Sequence, residues 1–137
     1  MPNMFLYGTL RKGEANDIFD LAVAHRLTAP RFVGPTTVTG RLYDFGKYPG
    51  LVSAGDGGPV IGEVYEIEDE LRAVLDEVER AYPENETLFS LEAIDLNVHG
   101  QTVACLFYPV SAASVLDLPE IRSGNWAEHR RSRSTKN

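Results

Sequence analysis

The chain has one cysteine in 137 residues, which excludes an intrachain disulfide. That cysteine, Cys105, sits inside an apolar run over residues 103–108, so a buried, inert thiol is expected. Histidine is nearly as rare. His25, His99 and His129 show no metal-ligand spacing, and neither a metal nor a cofactor is expected. Positive charge is also scarce: 13 Lys and Arg against 20 Asp and Glu give a net charge of −7, which argues against nucleic acid as a main partner. No apolar run approaches the ~20 residues of a membrane span. The first residues carry neither a basic n-region nor an apolar signal core, so no membrane partner is expected and the cytoplasm is the default compartment. There is no G-x-S-x-G elbow, no internal repeat and no interior linker. At this length, with 43% hydrophobic residues, one globular domain with a substantial core is expected.

What is present begins with Phe5-Leu6-Tyr7-Gly8-Thr9-Leu10-Arg11-Lys12-Gly13. Residues 4–7 read as a first strand, broken by Gly8 and followed by a second glycine at Gly13. Such a turn at a strand end can converge N–H groups on an anion or a polarised carbonyl oxygen. The Gly8-to-Gly13 spacing superficially suggests a phosphate-binding P-loop. Glu14 and Ala15 stand where that loop needs a lysine and a hydroxyl, so phosphate would meet a carboxylate. The turn therefore suits a smaller, less charged group.

Ile18, Leu21, Ala22 and His25 recur at helical spacing, with Asn16 or Asp17 as N-cap. Residues 32–33 and 38–45 read as strands separated by a Gly34-Pro35 turn, and 44–58 as a glycine-rich loop with a short extended piece. Residues 60–67 are dense in β-branched and aromatic side chains, as a strand requires. Leu71, Val74, Leu75 and Val78 form an i, i+3, i+4, i+7 stripe that predicts a helix over 68–79, with Asp69 and Glu70 suiting its N-terminal dipole. Strands over 89–98 and 102–108 form a hairpin around His99-Gly100. The pattern is α+β with mainly antiparallel pairing and two modest helices. Residues 129–137, with Arg130, Arg131, Arg133 and Lys136 among Ser and Thr, read as a frayed, solvated basic tail beyond a domain spanning 1–128, rather than a contact for an anionic partner.

Tyr7-Gly8-Thr9-Leu10 at the end of a first strand resembles the signature of the γ-glutamylcyclotransferase-like family, including its γ-glutamylamine cyclotransferase and AIG2-like branches. Further matches follow in order: Gly40-Arg41-Leu42-Tyr43, Tyr48-Pro49-Gly50, Gly62-Glu63-Val64-Tyr65, Leu75-Asp76-Glu77-Val78-Glu79 and Ser123-Gly124-Asn125-Trp126. Each is weak alone; their order across nearly the whole chain makes a strong set. The resemblance implies a compact, partly closed β-barrel flanked by helices, with its pocket near the first turn.

It also implies a reaction. The α-amino group of a γ-glutamyl unit attacks its own γ-carbonyl, 5-oxoproline closes, and the attached amine leaves. Nucleophile and electrophile share one small-molecule substrate, so no covalent nucleophile from the protein is needed. The site must bend the substrate, stabilise an oxyanion and move a proton. The N–H groups of Gly8, Thr9 and Leu10 are the candidates for anion binding, Thr9 adding a hydroxyl and Tyr7 a wall or a phenol contact. Taken alone, Gly8 would more simply turn the chain and Thr9 satisfy a local backbone group. The resemblance favours binding and adds Tyr48 and Pro49 to the set.

Glu79 matches the last residue of the family's Leu-Asp-x-x-Glu pattern and is the candidate acid/base. An exposed glutamate, with a pKa near ~4.3, is a poor base, so partial desolvation at the helix end is required. Asp76 and Glu77 compete on charge alone. The chain also departs from the family: Arg80 replaces a glycine, and Phe89 with Leu91 stands where a Tyr-x-Arg pair is expected. A pocket lacking that cation would hold a substrate carboxylate mainly by backbone N–H groups. The competing reading is a non-catalytic small-molecule-binding or interaction domain that kept the fold.

Overall fold

The N-terminal apolar run becomes β1 (Asn3–Leu6), an inner strand of a six-stranded sheet ordered β3-β2-β4-β1-β6-β5. The computed structural model describes residues 1–80 and 91–134, apart from the side chains of residues 79, 80, 133 and 134. The other strands are β2 (Arg31–Asp44), β3 (Pro49–Ser53), β4 (Gly58–Glu66), β5 (Glu92–Val98) and β6 (Gln101–Phe107). β1 pairs antiparallel with β4 and parallel with β6; the remaining neighbours are antiparallel. Met4 and Leu6 pack in one apolar cluster while Phe5 and Tyr7 pack in the other. A strand buried on both faces must be apolar at every position, which is why this segment reads as a continuous run.

The sheet curls into a half-barrel. The Thr36 hydroxyl of β2 donates to the Asn97 carbonyl of β5 at 2.6 Å, bringing the far strand back across the sheet. One cluster fills the concave side, with Val64, Leu51 and Trp126 among its fully buried members. The other joins the convex side to α1 (Ile18–Ala24) and α2 (Asp69–Arg80). Leu71 and Leu75 of the expected stripe are both fully buried there. Of the two N-cap candidates, Asp17 serves: its carboxylate accepts from the Phe19 N–H at 2.8 Å. The β5–β6 turn forms as expected, with His99 and Gly100 at φ 52° and 82°, the twist a two-residue hairpin needs.

Two expectations change. Gly34-Pro35 does not separate two strands: β2 runs through it, with a bulge between Phe32 and Gly34 that accommodates one extra residue. Pro35 is tolerated because β3 pairs only with residues 40–44, leaving that end of β2 with β4 as its sole ladder partner. Residues 129–134, read from sequence as tail, instead belong to a third helix, α3 (Trp126–Ser134). No apolar stripe announces it. It is held by Trp126, which is 1% exposed, while Arg130 pairs with Glu14 and His129 lies within hydrogen-bond distance of Asp44. Residues 135–137 of that tail lie outside the described residues, as do positions 89 and 90 of the expected fifth strand.

Candidate active site

The loop after β1 is tied down along its length. Arg11 N–H donates to the Gly8 carbonyl at 3.1 Å, closing the turn. Asn16 then holds Thr9 twice, its backbone N–H on the Thr9 carbonyl at 2.8 Å and its side-chain amide on Thr9 Oγ1 at 3.1 Å. Gly13, at φ +85°, donates to the Asp17 carboxylate at 2.7 Å, which turns the chain into α1. Leu10 buries its side chain among the convex cluster, so its backbone alone is left to face a ligand. Thr9 is buried, and its hydroxyl oxygen serves the local contact that threonines commonly make.

The Tyr7 phenol is engaged by the protein backbone. It donates to the Tyr108 carbonyl at 2.6 Å and accepts from the Leu51 N–H at 3.2 Å. It thus joins the end of β1 to β3 and to the chain beyond β6. The Tyr48-Pro49 segment comes to the same place: a Cβ on Gly8 would lie 2.7 Å from Pro49 Cγ. Tyr48 is buried and stacks on Phe45 with ring centroids 5.1 Å apart. Tyr7 and Gly8 therefore share one corner of the half-barrel with Pro49, far from them in sequence.

Helix α2 approaches that corner through Tyr108. The Tyr108 phenol donates to Asp76 Oδ1, and Arg72 donates to Asp76 Oδ2 at 3.2 Å. Asp76 is thus a partnered structural carboxylate, while Glu77 is exposed. Glu79 falls in the last turn of α2, and its side chain lies outside the described residues, as does Phe89. Leu91 is exposed ahead of β5.

No local signal in the sequence announces the polar cluster beside the turn. Arg11 donates to both oxygens of Glu63, at 3.0 and 2.9 Å, and to Asn125 Oδ1 at 3.2 Å. The pair is largely shielded, with side-chain exposures of 13% and 18%. Glu63 and Asn125 both lie in short motifs of the family resemblance, but nothing local pairs them with Arg11. Cys105 is buried, and desolvation, aided by the negative charge of Asp95, pushes its thiol up to about 11. It stays protonated near neutrality and is no nucleophile. Among the described residues no group of His, Cys, Asp and Glu is arranged to hold a metal ion, and no helix is long and apolar enough to cross a membrane.

The family described as "Gamma-glutamyl cyclotransferase, AIG2-like" matches residues 4–128. The chain is 32% identical over 133 residues to the gamma-L-glutamyl-butirosin B gamma-glutamyl cyclotransferase of Niallia circulans, covering 95% of this chain and 78% of that protein. It is 35% identical over 82 residues to the gamma-glutamylaminecyclotransferase of Mus musculus, covering 58% of this chain and 55% of that protein. The crystal structure of an AIG2-like protein from Mus musculus superposes with a TM-score of 0.72 at 26% identity, over 89% of this chain and 86% of that one. The non-catalytic alternative yields to these enzymes. The chain belongs to the gamma-glutamyl cyclotransferase, AIG2-like family and is an enzyme of the cyclotransferase type.

Proposed function

We propose that the protein cyclises the γ-glutamyl group of a small amine or peptide conjugate to 5-oxoproline and releases the amine. The observation that carries this reading is the junction at Tyr7. Its phenol meets the Tyr108 carbonyl, and the Tyr108 phenol meets Asp76 of α2, three residues before Glu79. That junction links α2 to the turn of residues 7–10 and supports an acid/base from this helix working beside it.

In the proposed reaction the substrate α-amino nitrogen forms a bond to the γ-carbon, and the amide bond to the departing amine breaks. Glu79 takes the proton from the attacking nitrogen and returns it to the leaving nitrogen. The N–H groups of Gly8, Thr9 and Leu10 stabilise the oxyanion between these steps. Tyr7 serves by bracing the turn, its hydroxyl being spent on Tyr108 and Leu51. Tyr48 and Pro49 form the facing wall. Arg11 is committed to Glu63 and Asn125, so backbone dipoles are the natural partners of the substrate carboxylate.

The test is incubation with a panel of γ-glutamyl amines, γ-glutamyl peptides and a γ-glutamyl aminoglycoside, with released 5-oxoproline quantified. Turnover of one class names the leaving group. No 5-oxoproline from any member would sink the reading.

A further inference from the structure

Helix α3 carries polar groups on both sides of the candidate site. Asn125, immediately before the helix, accepts from Arg11 at 3.2 Å. Arg130 donates from Nε and one terminal nitrogen to the two oxygens of Glu14, at 2.8 and 2.9 Å. His129 places Nε2 2.8 Å from Asp44 Oδ2. Arg11 and Glu14 lie in the loop that bears Gly8, Thr9 and Leu10. Asp44 ends β2 ahead of the turn that leads through Tyr48 to Pro49 of β3, and its other oxygen accepts the Gly46 N–H at 2.6 Å. One short helix therefore bonds to both walls.

The helix itself is seated on the sheet and the core: just ahead of it the Ile121 N–H donates to the Leu42 carbonyl of β2 at 2.6 Å, and the Pro119 carbonyl accepts the Asp44 N–H at 2.9 Å. Trp126 is 1% exposed within the concave core. Gly124, just before it, accepts the Ile61 N–H of β4 at 2.7 Å. At φ +67° and with only 2.2 Å between an added Cβ and the Pro59 carbonyl, Gly124 admits no side chain. The position of α3 is thus set by β2, β4 and the core, and the loops are referred to it. Glu14 strengthens the point, because its carboxylate is only 5% exposed and its placement depends on a cation.

We infer that α3 is a positioning element: His129 and Arg130 set the separation between the two substrate-binding walls. This rests on the proposed site, and the bonds of His129 to Asp44 and of Arg130 to Glu14 run to the two walls. Their loss is expected in substrate binding rather than in proton transfer, so KM moves and kcat does not.

The experiment compares wild type with Arg130→Ala, His129→Ala and Arg130→Lys, using Arg131→Ala as a control that removes an exposed cation from the same helix. Amide hydrogen exchange is followed together with kinetics on a γ-glutamyl amine. Arg130→Ala should accelerate exchange at Arg11, Gly13 and Asn16, and His129→Ala at Phe45 and Gly46, with the β4 amides unchanged. KM should rise by about 5- to 50-fold with kcat held within about threefold, and Arg130→Lys should fall between wild type and alanine. Arg131→Ala should match wild type in both. Unchanged exchange in both loops, or exchange accelerated equally throughout the fold, would overturn the inference. A wild type that releases no 5-oxoproline would defeat the cyclotransferase reading alone, and the exchange pattern would still decide the role of α3.

Discussion

Gly8 and Pro49 meet so closely that a methyl group on Gly8 would lie 2.7 Å from Pro49 Cγ and 3.0 Å from Cδ. Glycine is needed here for close approach of the turn to the facing segment. Gly8→Ala must push Pro49 back or distort the turn, and overpacking of this kind costs about 1–3 kcal/mol. The thermal midpoint should fall by roughly 3–10 °C. Binding of 5-oxoproline, followed by calorimetry, should weaken as well. A variant with unchanged melting and affinity would show that the Gly8–Pro49 contact does not shape the pocket.

Tyr7→Phe removes one hydroxyl and strands two buried backbone groups, the Tyr108 carbonyl and the Leu51 N–H. Leaving buried groups unsatisfied costs about 1–3 kcal/mol each. Urea denaturation should show a lower midpoint with an unchanged slope, since the ring still fills its place in the core. A midpoint equal to wild type would mean that both groups find other partners.

Glu79→Gln should reduce kcat by roughly 10²–10⁴-fold, the usual worth of a general acid/base, without lowering the thermal midpoint. The amide keeps the shape of the side chain and cannot carry the proton. Glu77→Gln is the control, because Glu77 is exposed. Equal kcat for wild type and Glu79→Gln would remove Glu79 from the mechanism.

The Arg11–Glu63 pair offers a sharper stability test. Arg11→Ala leaves a shielded carboxylate without its bidentate partner and should cost roughly 3 kcal/mol. Replacing both partners by apolar residues, Arg11→Met with Glu63→Leu, removes the uncompensated charge and should recover most of that loss. Denaturant titration of the three proteins distinguishes them. A double variant no better than Arg11→Ala would show that the geometry of the pair matters more than its charge balance.

Cys105 supplies a pH prediction. Burial raises its folded-state pKa to about 11 from the ordinary thiol value of 9.0. The sign follows from the unfolded thiol ionising first: stability is full below about 9 and declines as pH rises toward and past 11. Tyr65, also raised by burial, adds to the same alkaline limb. Cys105→Ala should flatten the decline between pH 9 and 11, whatever its effect at neutral pH. An identical alkaline slope in the two proteins would place the thiol's ionisation elsewhere.

Periodicity alone determined much of this protein. The stripe of Leu71, Val74, Leu75 and Val78 specifies α2, and the unbroken run from Met4 to Tyr7 marks a strand covered on both faces. Asp17 and His99-Gly100 mark a helix start and a hairpin by local chemistry, each satisfied within a few residues. Those signals are legible because the partners are neighbours in sequence. The tertiary structure decided the rest. α3 carries no apolar stripe, and its place is set by Trp126 in the core and by Gly124, which accepts from Ile61 of β4, more than sixty residues away. The contact of Gly8 with Pro49, the use of the Tyr7 phenol and the Arg11–Glu63–Asn125 cluster are likewise long-range. A lone arginine or asparagine in a loop has no periodicity to betray it. Its partner is chosen by the curl of the sheet, which brings together charges that the sequence keeps far apart.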